Sequence, residues 1–238
     1  SIILGISFIL AALVIGNYFY QAKKPVQTVS VVGLAEKDFT SDLIVYNFYY
    51  SVKNMDMKTA YEELKQQTEI VKKYLKEKGI TDAEITFKSV TNREDTEYNY
   101  DRASQRSYYV FSGYILTQNV RIESKEVEKI ENLHHNIADL LSQGVTIQAY
   151  EPEYYYTQLA DLKIEMLENA TKDAKLRAET IAQNSGSKLG HLKSANMGVF
   201  QITAPNSSDE DYTWGGAFNT SSKNKRASIN MRLTYYVK

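Results

Sequence analysis

The chain begins with an uninterrupted apolar run. The first 22 residues carry no charged side chain, and the first ionisable residue after them is Lys23. The segment Ile2–Tyr20 would be ~28 Å long as an α-helix, about the thickness of the hydrocarbon layer of a membrane. The pattern therefore predicts a transmembrane anchor over residues 1–22, followed by one domain over residues 23–238.

The predicted anchor has two alternatives, a cleaved secretory signal and a buried core helix. A signal normally has a shorter apolar core and small residues before its cleavage site, whereas the bulky Tyr20 lies two residues before Ala22. A core helix would be apolar on one side only. Lys23 and Lys24 follow the run, and positive charge favours the cytoplasmic side, so charge alone leaves the orientation open. The residues that we expect to face lipid or its interface are Ile2, Ile3, Leu4, Phe8, Ile9, Leu10, Leu13, Val14, Ile15, Tyr18, Phe19 and Tyr20.

Beyond the anchor, segments with alternating apolar residues are interleaved with segments of helical period. Strands are predicted over Gln27–Glu36, Ser41–Lys53, Glu84–Val90, Tyr108–Glu123, Val145–Tyr150, Tyr154–Tyr156, Leu192–Ile202 and Ala227–Val237. Helices are predicted over Asp56–Lys78, Ser124–Gln143 and Thr157–Ser185. A hairpin turn is expected at Lys37–Thr40, and loops are expected at Asn92–Arg106 and Thr203–Lys225. This order predicts an α+β fold with antiparallel sheets and packed helices, in which the central β-α-β-β-α-β segment is suited to a split unit.

Composition narrows the classes of function. The 28 basic and 29 acidic residues give a net charge of −1, which offers no electrostatic reason to expect a nucleic-acid partner. The absence of cysteine excludes disulfides, thiol nucleophiles and thiolate metal sites. Tyrosine is the unusual residue, with 19 copies. Tyrosine is favoured both in strands and at subunit interfaces, and the two interpretations are compatible.

Motifs for chemistry are weak in this sequence, and we predict no catalytic, cofactor-binding or metal-binding residues. Glu131 and His135 are four apart on a predicted helix, but a structural metal site needs further ligands that the sequence does not supply. The aromatic residues Tyr154, Tyr155, Tyr156 and Trp214 are the candidate interface residues. For Trp214 the alternative is that its ring folds back onto its own domain.

The third predicted helix and its exit resemble a known family. Leu159–Ala174 continues through Ala178 and Ala182 to Ser185-Gly-Ser-Lys-Leu-Gly190, and this segment resembles the signature helix of the bacterial SIMPL-domain family (DUF541). Ala195–Ile202 resembles the strand that follows it, and Val32–Lys37 with Asp42 resembles the opening hairpin. The motif consists of packing residues, which are Ala170, Ala174, Ala178, Ala182, Gly186 and Gly190.

The resemblance implies an α+β domain that is exported behind a signal or anchor, with relatives associated with envelope stress and large oligomers. It favours a single-pass protein of the bacterial cell membrane with an extracytoplasmic domain. We therefore expect a membrane-anchored envelope assembly protein without enzymatic activity, which forms a homo-oligomer larger than a dimer and closed into a ring. The alternative is an envelope hydrolase or a ligand-binding protein whose site residues are scattered in the sequence.

Overall fold

Ten strands and four helices make up the described part of the chain. The computed structural model describes residues 13, 15, 16, 27–102, 104–205 and 216–238. The strands are β1 (Thr28–Thr40), β2 (Leu43–Asn54), β3 (Ile85–Phe87), β4 (Thr91–Asp101), β5 (Arg106–Ser124), β6 (Ile147–Ala149), β7 (Glu153–Tyr155), β8 (Leu189–Met197), β9 (Gln201–Thr203) and β10 (Asn224–Val237). The helices are α1 (Met57–Glu77), α2 (Val127–Asn136), α3 (Asp139–Ser142) and α4 (Leu159–Asn184). This order of elements confirms the predicted α+β class.

The strands form two antiparallel sheets, each with its own hydrophobic core. In the first sheet β10 lies between β1 and β8, and it also pairs with β9. In the second sheet the order is β3-β5-β2-β6, with β4 also on β5 and β7 also on β2. We call the first sheet with α4 the first lobe, and the second sheet with α1, α2 and α3 the second lobe. The second lobe is therefore one continuous stretch of chain inserted between β1 and α4.

The second lobe contains the split arrangement that the sequence suggested. Strands β2 and β3 are joined through α1 and lie on either side of β5. Strands β5 and β6 are joined through α2 and α3 and lie on either side of β2. Two interleaved β-α-β units of this kind make the β-α-β-β-α-β motif. One face of its sheet, with Tyr46, Phe48 and Tyr50 of β2, is buried in the core.

The first lobe depends on small residues where α4 crosses β1. Ala170 and Ala174 are fully buried on α4, and Gly33 of β1 lies against them. A Cβ atom on Gly33 would lie 2.7 Å from the Cβ of Ala174 and closer still to the helix backbone. The helix can therefore approach the strand only because neither surface carries a large side chain.

The predicted hairpin at Lys37–Thr40 is wrong. Strand β1 continues through Thr40 and pairs along its length with β10, while β2 starts at Leu43 in the other sheet. The junction is held by the backbone, because Ser41 N–H donates to Lys223 O at 2.9 Å and Asp42 N–H donates to Tyr155 O at 3.0 Å. Strands β1 and β2 are consecutive and suitably spaced for a hairpin, but they pair with different strands. Each of these partner strands lies far along the chain.

The predicted loop at Asn92–Arg106 is also wrong, since most of it is strand β4, paired with the outer half of β5. Both faces of this ribbon are exposed, so the segment has no buried face and lacks the apolar period of a core strand.

Two predicted elements are interrupted in the structure. The helix over Ser124–Gln143 is split into α2 and α3, and the strand over Leu192–Ile202 is split into β8 and β9.

Candidate functional site

The outer part of the β4–β5 hairpin is exposed on both faces. Strand β2 ends at Asn54, opposite Tyr114, so among the described residues β5 has no partner on that side beyond this point. From Gly113 to Arg106 the hairpin continues for about 24 Å as a two-stranded ribbon. We call residues 96–102 and 104–111 the aromatic arm. An isolated two-stranded ribbon is only marginally stable in water. We therefore expect the aromatic arm to need another surface packed against it.

One face of the aromatic arm consists of rings and hydroxyls. The cross-strand pairs Thr96–Phe111, Tyr98–Tyr109 and Tyr100–Ser107 share this face, because directly opposed residues point to the same side. Tyr98, Tyr100, Tyr109 and Phe111 are exposed by 56, 54, 71 and 39%. The rings of Tyr98 and Tyr109 meet edge to face at 5.5 Å. The cross-strand pairs on this face contain no charged residue, whereas the opposite face carries Glu97, Asp101 and Arg106.

The base of the arm is fixed to β2 by an ion pair. Lys53 Nζ lies 2.8 Å from Asp95 Oδ2 and donates to Ser112 Oγ at 2.9 Å. The hydrogen bond from Lys53 is the main reason that the pKa of Asp95 is lowered. At the same level Gly113 adopts φ +124° and lies against Asn54, where a Cβ would be 2.9 Å from the Asn54 carbonyl oxygen. The arm therefore leaves the sheet in a defined direction.

A second uncovered apolar surface lies on the first lobe. A groove of about 560 Å³ runs between α4 and the edge of β1 opposite β10, and its apolar lining includes Val32, Leu176 and Ile181. These three side chains are exposed by 43, 63 and 48%. The Leu34 N–H at this edge donates to Asp173 Oδ2 at 2.9 Å, and Asp173 is paired with Arg177 at 2.8 Å. We call this surface the β1–α4 groove.

A third surface is a polar hollow on the face of the second sheet that points away from α1. Its volume is about 410 Å³, and its lining includes Asn47, Asn119, Arg121, Lys88 and Glu153. The lining mixes both signs of charge with neutral amides. It is the described surface best suited to a small polar ligand, although no arrangement of nucleophile and base within it points to a reaction.

The residues of the predicted anchor lie outside the described residues, apart from Leu13, Ile15 and Gly16. Within the described ranges, no helix combines the length and the apolar character needed to cross a membrane. The anchor therefore stays a prediction from the sequence. Trp214 also lies outside the described residues.

The three consecutive tyrosines lie where the two lobes meet. Tyr154 packs against the core of the second lobe, and Tyr156 packs against the core of the first. Burial and the hydrogen bond that the Tyr154 hydroxyl donates to Glu131 at 3.0 Å raise the pKa of Tyr154 to about 12. Tyr155 donates to Glu153 at 3.2 Å. Each ring is only half-buried, and the contact of Tyr154, Tyr155 and Tyr156 with a second subunit stays a prediction.

The residues of the resembling motif have packing roles. Ala170, Ala174, Ala178 and Ala182 are buried on α4. Gly186 follows the helix with φ +73°, the left-handed conformation that glycine adopts without strain. Gly190 lies against the backbone of β10, where a Cβ would be 2.8 Å from Tyr236 O.

Glu131 and His135 do not come together as metal ligands. The Glu131 carboxylate accepts hydrogen bonds from Tyr154 and, at 2.8 Å, from Lys223. Among the described residues, no group of three His, Asp or Glu side chains has the geometry to hold a metal ion. Glu131 therefore connects α2 to Tyr154 and Lys223 in this structure.

Sequence reasoning predicted the strand from Tyr108 but missed the β4 strand of the aromatic arm, although a signal for it was present. Thr96, Tyr98 and Tyr100 alternate with Glu97 and Asn99, and this is a strand pattern. The many charged and amide residues around it favoured a loop instead. An exposed ribbon and a loop have similar composition. In the sequence, only the spacing of the aromatic residues distinguishes the ribbon from a loop.

The two lobes, their antiparallel sheets and the alanine face of α4 define an α+β protein whose exposed features are suited to contacts with other molecules. A family model described as "SIMPL: Protein of unknown function (DUF541)" matches residues 29–231. The chain belongs to this family. No curated protein matches the chain significantly.

Proposed function

We propose that the chain is a self-assembling protein of the bacterial cell envelope, held to the membrane by Ile2–Tyr20, with its domain outside the cytoplasm and without enzymatic activity. The observation that carries the assembly is the uncovered ring face of the aromatic arm. The apolar run and the family resemblance support the location.

The amount and character of the exposed surface favour a protein partner. At roughly 200 Å² for each aromatic side chain, the four exposures of 56, 54, 71 and 39% correspond to roughly 440 Å². This is comparable to the largest apolar patch on a typical monomer, and such patches are often functional. Tyrosine and phenylalanine are enriched in the centre of interfaces, and charged residues are depleted there. The ring face of the arm has this composition.

A second copy of the chain is the partner that we favour. The net charge of −1 allows copies to approach without strong repulsion. Anchors in one membrane would hold the domains at a high effective concentration. An arm that packs on a different surface of its neighbour repeats head to tail, and such contacts close into a ring when the rotation allows.

The test is the mass of the full-length protein in detergent, measured by mass photometry. We expect the wild type to exceed a dimer and the double variant Tyr98→Ser/Tyr109→Ser to fall to lower mass. Tyr108→Ser is the matched control, because Tyr108 is 51% exposed on the opposite face of the arm. A monomeric wild type would overturn the proposal, as would a double variant that keeps the wild-type mass.

Ligand binding is the second candidate function, and the polar hollow favours it. Its amides and its charges of both signs suit a neutral ligand with many hydroxyl groups. Saturation-transfer NMR with soluble cell-wall glycan fragments tests this candidate, with Asn119→Ala as the variant that should lose the signal. An unchanged signal in that variant would exclude the hollow as the site.

A further inference from the structure

We infer that the β1–α4 groove receives the ring face of the aromatic arm from a neighbouring copy of the chain. This inference rests on the proposed function, and it names the surface on the neighbour that completes the contact. The contact is heterologous, because the arm belongs to the second lobe and the groove belongs to the first.

The two surfaces are complementary in chemistry. The groove offers the aliphatic side chains of Val32, Leu176 and Ile181, and the arm offers aromatic rings that lack charged neighbours on their face. Arg177 borders the groove with its side chain half exposed. A guanidinium group next to tyrosine rings adds a cation–π attraction that an aliphatic partner would not provide.

The combined area is also sufficient for an interface. The groove side chains Val32, Leu176 and Ile181 expose roughly 270 Å², and the rings of the arm expose roughly 440 Å². The apolar part of one contact is then roughly 700 Å². Since interfaces are about 60% apolar, the whole contact would bury roughly 1,200 Å², which lies at the lower end of the range of stable interfaces.

The edge of β1 favours packing of side chains over the addition of a strand. The Leu34 N–H is already satisfied by Asp173, which Arg177 holds in place. A strand added at this edge would have to displace that carboxylate. Rings packed over Leu176 and Ile181 leave the hydrogen bond intact, so the groove is suited to the face of the arm rather than to its backbone.

The absence of cysteine from the sequence allows a direct test by crosslinking. Two full-length chains, one with Tyr109→Cys and one with Ile181→Cys, are dissociated, mixed and reassembled in detergent, and then treated with a short bismaleimide. We expect a crosslinked dimer in the mixture and at least a tenfold weaker band with either chain alone. Pairing Tyr109→Cys with Ile164→Cys is the control, because Ile164 is 67% exposed on α4 but ~25 Å along the helix from Ile181.

A charged residue introduced into the β1–α4 groove provides a second test of the contact. Ile181→Glu should lower the mass of the oligomer while Ile164→Glu leaves it unchanged, and circular dichroism melting shows whether each variant folds. If the arm variants dissociate the oligomer but Ile181→Glu and the crosslinking do not respond, the groove is overturned and the proposed function stands. If the wild type is a monomer, the proposed function itself is overturned.

Discussion

Asp42 at the lobe junction accepts two hydrogen bonds from Thr157, one from its backbone N–H and one from its hydroxyl, both at 2.7 Å. Asp42 directly precedes β2 of the second lobe, and Thr157 lies just before α4 of the first. These residues are 115 positions apart in the chain. The pair is therefore one of the contacts that join the two lobes, whose hydrophobic cores are separate.

We expect Asp42→Ala to lower the free energy of unfolding by about 1–3 kcal/mol, because it removes the acceptor of two hydrogen bonds. The variant should also separate the unfolding of the two lobes, so that fluorescence and circular dichroism give different urea midpoints. Asp42→Asn retains one acceptor oxygen and should lie between the wild type and Asp42→Ala. Coincident transitions at the wild-type midpoint in Asp42→Ala would contradict this role.

Gly33 provides the second prediction. The Cβ in Gly33→Ala would overlap the backbone of α4 near Ala174, and we expect a loss of about 2–3 kcal/mol from overpacking. Gly186→Ala is the control, because its Cβ meets open space and only the left-handed backbone at φ +73° is strained. That variant should lose about 1 kcal/mol. Chemical denaturation of both variants compares the two effects, and equal losses would show that the helix can move away from β1.

Two buried tyrosines on one face of β2 provide the third prediction. The Tyr50 hydroxyl donates to Thr68 Oγ1 at 2.8 Å, whereas the Tyr46 hydroxyl has no hydrogen-bond partner among the described residues. Tyr50→Phe should cost about 1 kcal/mol, while Tyr46→Phe should be neutral or stabilising, because it removes an unsatisfied buried polar group. Urea denaturation measures both, and an equal loss in the two variants would show that Tyr46 does have a partner.

Glu84 provides the fourth prediction, on the dependence of stability on pH. Burial raises the pKa of Glu84, but hydrogen bonds from Ser124, Thr81 and Lys129 outweigh it and lower the pKa from 4.5 to about 2. A lowered pKa contributes stability that is complete above pH 4.5 and is lost as the pH falls toward 2. We expect this contribution to be about 3 kcal/mol, at about 1.4 kcal/mol for each pKa unit, because the side chain is mostly buried.

Stability measured by urea denaturation between pH 5 and pH 2.5 checks the role of Glu84. The decline should be clearly smaller in Glu84→Gln, which cannot titrate at this position. Ser124→Ala should give an intermediate decline, because it removes one of the hydrogen bonds that lower the pKa. A decline in Glu84→Gln that runs parallel to the wild type would assign the acid sensitivity to other groups.

Elements with one buried face could be predicted from the sequence. Ile229, Met231 and Leu233 alternate and are buried in β10, and α4 follows its alanines. Pairing between distant strands was not predictable. The alternation in β1 shows which of its residues are buried, but it does not identify β10 as the partner strand. The β4 strand of the aromatic arm was missed because its exposed charged and amide residues concealed the alternation of its rings.

Because β1 pairs with β10, the sheet of the first lobe cannot be completed until almost the whole chain has been synthesised. Thr28 pairs with Tyr236, so a strand made early in synthesis has no partner until nearly the whole chain exists. At ~5–20 residues per second, the chain beyond residue 155 takes on the order of 10 s to make. The second lobe, with its continuous stretch of sequence, has all its strands before that interval begins. During this interval β1 is an apolar strand without its partner strand. A chaperone that shields such strands would act during those seconds.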